Sequence, residues 1–144
     1  MLNRTNEIIR FAVGLRETYH TRDPFEIAKI LGIEVVQKAN SFKNFTAHTI
    51  KIPNYPTIIA INDSYCSRSK LVLCAHELGH ALLHEDGINH FATTAGNVFT
   101  SVEYEANLFA VALLCDEQDF NMPLSTMSNY TLKSILDYNI IEKK

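Results

Sequence analysis

Three side chains that do metal and acid–base chemistry fall within the five residues His76-Glu77-Leu78-Gly79-His80. On a helix, positions four apart lie only about 40° apart around the axis, one turn above the other. Imidazole nitrogens at 76 and 80 can then meet one ion at the roughly 2.0–2.1 Å that zinc prefers. Glu77 stands at the edge of the same face. It is too short and wrongly angled to be a further ligand there, but it can reach a water in the ion's open position, where a general base belongs. The pattern arises by accident in roughly one chain of this length in 200, so its surroundings must carry part of the weight.

A catalytic zinc site takes three protein ligands and leaves one position open. His84 continues the row, but at about 12 Å along the axis from His76 it does not join the same ion easily. It suits the C-terminal end of the helix dipole or an outer position behind a ligand. A metzincin would have a histidine at 86 and a glycine at 83; Asp86 and Leu83 exclude that pattern. Cys74 points to the other side of the helix, with Leu71, Leu78, Ala81 and Leu82, and is not counted as a ligand. The third ligand is sought in Glu103-Tyr104-Glu105-Ala106-Asn107. Glu103 and Glu105 differ by about 200° around a helix, so only one faces the metal. Glu103 is the choice, because it shares a face with Asn107, a residue able to hold a ligand histidine by its free ring nitrogen. The small Ala106 would let two helices approach closely. Two other readings stay open: Thr100-x-x-Glu103 also fits a capping box, and Glu105 is the ligand if the helix phase is shifted.

These residues need elements to hold them. Ile8, Ile9, Ala12, Val13 and Leu15 recur at helical spacing and predict a helix over 3–20. A second, short helix starts at Asp23-Pro24-Phe25-Glu26, with Asp23 as cap, and ends at Gly32. Strands are expected over 33–37, 45–52 and 57–62, the last apolar enough to be central. The motif helix should run over about 67–85, capped by Ser67 or Ser69 and stopped by Gly87. Further helices are expected over 101–115 and 131–138. The fold class is therefore α+β: a small, mostly antiparallel three-stranded sheet packed with helices, in one domain over residues 1–144.

Composition narrows the function. With 47% apolar and 20% charged residues the chain is that of a globular protein. Thirteen basic against 16 acidic residues, a net charge of -3, argue against direct nucleic-acid binding. No apolar segment near the N-terminus has the form of a secretory signal, and the longest apolar run, Leu108 to Cys115, has eight residues. A membrane span needs about 20. Cys66, Cys74 and Cys115 are odd in number and widely spaced, as free thiols of a reducing compartment are. A cytoplasmic location with no membrane contact is expected. His20, His48 and His90 read as surface or loop residues, and Tyr65 and Tyr104 as packing residues. Residues 85–100 form a longish connection beside the site, a lid or a plain loop.

At this point the sequence resembles the ImmA/IrrE metallopeptidases. Asp23-Pro24-Phe25-Glu26-Ile27-Ala28, then Leu31-Gly32-Ile33, is similar to their N-terminal helix and first strand. Ile61-Asn62, followed by Ala75-His76-Glu77-Leu78-Gly79-His80-Ala81-Leu82-Leu83-His84, resembles their central signature. Glu103-x-Glu105-Ala106-Asn107-x-Phe109-Ala110 with Leu113-Leu114 resembles their second. The resemblance implies a gluzincin-like core in which Zn2+ is held by His76, His80 and Glu103, with Glu77 catalytic. It also implies a substrate, a helix-turn-helix repressor whose cleavage releases the genes of a mobile element or stress operon. The length fits a short member of phage type. Departures are Cys115-Asp116-Glu117 directly after Leu114, where a Met-Pro is usual, and Pro123 coming later.

The expected activity is thus that of a zinc endopeptidase. Two other classes compete with it. One is a non-catalytic regulator that binds the repressor around a closed, structural zinc, with His84, His90 or His48 as the extra ligand. The other is a partner in a toxin–antitoxin pair. An edge of the sheet near Phe45 to Ile50 is the expected place for a substrate strand to pair. The sequence leaves the oligomeric state open.

Overall fold

A computed structural model describes residues 4–38, 46–84 and 97–140, with side chains from 101 onward in the last stretch. Among these described residues five helices and three strands follow one another as α1 (Arg4–Tyr19), α2 (Pro24–Ile30), β1 (Glu34–Lys38), β2 (Ala47–Ile50), β3 (Ile58–Asn62), α3 (Ser67–Leu83), α4 (Asn97–Leu114) and α5 (Asn129–Tyr138). Short 3₁₀ turns at Glu117–Asp119 and Leu124–Thr126 join the last two helices. The class is α+β, as expected.

Local chemistry accounts for the short elements. The Asp23 side chain accepts from the Phe25 amide at 2.9 Å and Pro24 leads α2. At the other end Gly32 takes φ +80°. Its amide donates to Lys29 O and the Ile33 amide to Ala28 O, closing the helix in a Schellman turn that turns the chain into β1. Ser128 caps α5 by accepting from the Thr131 amide, so that helix begins two residues before the expected Thr131.

The sheet has the order β1-β3-β2. β2 pairs antiparallel to β3, with Thr49 opposite Ile59, and β1 pairs parallel to it, with Val35 opposite the same residue. The apolar β3 is the middle strand, with Ile59 and Ile61 buried. β2 is an edge strand, and its alternate residues Ala47 and Thr49 face inward.

Helices α3 and α4 form the centre of the molecule. Phe109, Leu108, Leu113 and Leu78 are fully buried there together with Ile8 of α1 and Ile27 of α2. Gly79 of α3 lies directly against α4: a Cβ at that position would stand 3.2 Å from both the Cα and the carbonyl oxygen of Ala106. The close approach expected from Ala106 thus has Gly79 as its other half. Arg16 of α1 fixes the far end of α4 by donating to the carbonyls of Ala112 and Cys115, both at 3.1 Å.

Three expectations are corrected. The residue capping α3 is Cys66, whose side chain makes no capping hydrogen bond to the helix backbone, and Ser67 is already helical. Helix α3 ends at Leu83 with His84 as its C-cap, so it stops before Glu85; Gly87 lies outside the described residues. Helix α4 starts at Asn97, not Ser101, which places Thr100 inside the helix and removes the capping-box reading of Glu103. Of the connection expected over 85–100, residues 85–96 lie outside the described residues and 97–100 belong to α4. The three cysteines are free. Among the described residues no helix is long and apolar enough to cross a membrane.

Candidate metal centre

Helix periodicity turns α3 into a two-sided element. Cys74, Leu78 and Ala81 are buried in the core, with Leu71 and Leu82 half-buried. His76, Glu77 and His80 turn toward α4, β2 and α5. The next helix brings Glu103 to meet them. His76 Nε2 lies 3.3 Å from Glu103 Oε1, and His80 Nε2 lies 3.0 Å from Glu103 Oε2. The ligand atoms of these three residues all fall within 4.8 Å of one another. No other such cluster of histidine, cysteine or carboxylate side chains occurs among the described residues.

His80 Nε2 and Glu103 Oε2 are buried and have no hydrogen-bond partner. Buried polar atoms without partners are costly, and two of them face each other here at 3.0 Å. A cation between them removes that cost, so the donor set of two imidazoles and a carboxylate fits a metal ion.

The neighbouring groups hold these side chains in place. The Asn107 side chain lies beside His76 as an acceptor that favours its protonated form, and its Nδ2 donates to Asn129 Oδ1 at 2.8 Å, which ties α4 to α5 beside the site. Burial disfavours the charged form of His76, but the Glu103 hydrogen bond and the nearby Glu77 and Glu103 charges outweigh it and raise its pKa. Burial likewise works against the Glu103 carboxylate, and the two histidines more than offset it, holding Glu103 well below the usual carboxylate range. The Cys74 thiol, by contrast, is driven far upward by burial and lies in the core, away from the cluster.

Glu77 is buried, with 2% of its surface exposed. Its Oε1 lies 2.7 Å from the Thr49 hydroxyl, which is also 3.0 Å from the Glu77 carbonyl oxygen. Thr49 went unnoticed in the sequence. The available signal was weak: a polar residue at an inward position of a short strand.

Glu105 turns away from the cluster. It accepts from Arg4 Nε at 3.0 Å and lies 3.0 Å from His84 Nε2. His84 Nδ1 in turn lies 3.2 Å from His80 Nδ1. Burial pulls the His84 pKa down against the pull of Glu105. Tyr104 packs against the core with its hydroxyl 3.2 Å from Thr5 Oγ1, and Tyr65 packs there too. His90 lies outside the described residues.

A cleft of about 370 Å³ opens onto His76, Glu77 and Glu103. Thr46, Ala47 and His48 form its rim on the β2 side, and Val72, Leu73, Leu136 and Ile140 give it an apolar wall.

A helix carrying His76, Glu77 and His80 against a glutamate of the next helix, over a small mixed sheet, gives the site a metallopeptidase-like form. Residues 28–136 match the peptidase family described as IrrE N-terminal-like domain (peptidase M78), and the chain belongs to that family. It is also similar to "Uncharacterized immunity region protein 2" of Bacillus phage phi105, with 32% identity over 110 residues, 74% of this chain and 68% of that protein. The family resemblance read from the two signatures is thereby borne out.

Proposed function

We propose that the protein is a zinc-dependent endopeptidase that cleaves a helix-turn-helix repressor. The observation that carries this reading is the buried, partnerless pair His80 Nε2 and Glu103 Oε2, completed by His76, with Glu77 beside it. His76, His80 and Glu103 would hold the ion. Zinc bound there supplies Lewis acidity, which polarises a carbonyl and makes water nucleophilic at neutral pH.

The rest is done by the chain. Thr49 holds Glu77 by Oε1, which leaves Oε2 to take the proton of the attacking water and pass it to the leaving amine. Asn107 keeps His76 oriented. The edge of β2 offers backbone groups to an extended substrate segment, and the apolar wall beside it takes a side chain. A repressor as substrate is supported by the family and by the relative's place in a phage immunity region. The cluster of three donors, with His84 turned to Glu105, favours a site with an open position over a closed structural one.

Co-expression of the chain with a candidate repressor from its own genome tests the reading. Wild type is expected to yield repressor fragments on an immunoblot, and Glu77→Gln to keep its zinc and yield none. Equal cleavage by the two would refute the role of Glu77.

A further inference from the structure

His84 and Glu105 stand directly behind the metal cluster, and Arg4 stands behind them. We infer that Arg4, Glu105 and His84 form a relay of positioning residues that fixes which ring nitrogen of His80 carries its proton and so leaves Nε2 bare for the cation. The inference rests on the metal reading above and goes beyond it by assigning these residues a role.

The assignment follows from counting donors inward from the surface. An ionised carboxylate only accepts hydrogen bonds, and arginine only donates them. Arg4 donates to both Glu105 oxygens, from Nε at 3.0 Å and from Nη2 at 3.1 Å. His84 Nε2, 3.0 Å from Glu105 Oε1, must therefore carry a proton. A neutral imidazole has a single N–H, so His84 Nδ1 is an acceptor. His80 Nδ1, 3.2 Å from it, must then be the donor. The second nitrogen of His80 is left with a lone pair, and it points at Glu103 Oε2 from 3.0 Å.

The opposite assignment fails on the same atoms. A doubly protonated His84 would donate to His80 Nδ1 and move the His80 proton to Nε2, where it should bond Glu103. Yet neither His80 Nε2 nor Glu103 Oε2 has a hydrogen-bond partner. The relay spans three helices: Arg4 on α1, Glu105 on α4 and His84 at the end of α3. Arg4 also lies outside the residues 28–136 that match the family.

Two readouts on the full chain test this. In the zinc-loaded wild type, long-range 1H–15N correlation spectra are expected to show His84 protonated at Nε2 and bare at Nδ1. Competition with a chromophoric chelator is expected to show Glu105→Leu weakening zinc binding about ten- to hundredfold, the usual effect of losing a partner behind a ligand histidine. Glu105→Gln keeps an acceptor oxygen for His84 and should stay near wild type. Arg4→Gln, a change at a side chain 54% exposed, should weaken binding in the same direction. A proton on His84 Nδ1, or equal zinc affinity in Glu105→Leu and wild type with both folded by circular dichroism, would overturn the relay. If Glu105→Leu does not fold, the Arg4→Gln affinity and the His84 tautomer decide. A wild type that binds no zinc would instead sink the metal reading, and the His84 tautomer in the metal-free chain would still decide the relay.

Discussion

Thr49 is the residue whose loss would separate the position of Glu77 from its presence. Its hydroxyl is 2.7 Å from Glu77 Oε1 and buried, so Thr49→Val keeps the shape and removes only the hydrogen bond. Zinc content should not change, because Thr49 touches none of the cluster. Repressor cleavage should slow on the order of tenfold, less than the hundredfold that a misplacement of about 1 Å can cost. Zinc analysis and initial cleavage rates, measured on one preparation, check both halves. The His76 and His80 pair was legible in the sequence because their spacing is a property of one helix. That Glu103 and not Glu105 faces the two histidines was legible too, from the phase of one helix and the face that Glu103 shares with Asn107. Arg4 and Thr49 were not: they reach Glu105 and Glu77 across 101 and 28 residues of chain, and no local periodicity reports such a meeting.

At the scale of elements, the approach of α3 and α4 decides whether Glu103 reaches the histidines at all. Gly79 permits it, since a methyl group there would press on the backbone of Ala106. Gly79→Ala gains about 1 kcal/mol of helix propensity and loses a similar or larger amount to overpacking, about 1–3 kcal/mol. The thermal midpoint of the metal-free protein should therefore stay level or fall modestly. Zinc affinity should drop more clearly, because α4 shifts as a unit and carries Glu103 with it. A chelator-competition titration that finds unchanged affinity would show that the helices adjust without moving Glu103. Seven of the expected eight elements were placed within a residue or two of their bounds, because capping and period leave marks in local sequence. The start of α4 was not: Val98, Phe99 and Thr100 have modest helix propensity, and Thr100 and Ser101 look like a cap. Ala106 to Leu113 is buried all round the helix, a tertiary contribution that local propensity does not report. The parallel pairing of β1 with β3 escaped notice too, since strand composition does not say which neighbour a strand will choose.

For the molecule as a whole, acid tests how much the pairing at Glu105 contributes to holding α1, α3 and α4 together. Burial raises the pKa of this carboxyl, but Arg4 and His84 overcome that and hold it below its ordinary value of 4.5. A group depressed in the folded state contributes stability that is complete above its unfolded pKa and is lost as pH falls toward the folded one. Metal-free wild type should thus lose stability as pH drops below 4.5, and Glu105→Gln should lose less over the same window. Thermal midpoints of both, taken between about pH 5 and about pH 3, give the comparison; parallel curves would count against the pairing. The edge position of β2 has a consequence on the other side of the encounter. A strand edge accepts only chain that is already extended. A repressor segment folded into a helix must come apart before it can lie along β2, so the partner's own local unfolding sets the supply of cleavable chain. Each 1.4 kcal/mol of added local stability in that segment should slow its cleavage about tenfold, and resistance would then arise by mutations in the repressor that never touch the peptidase.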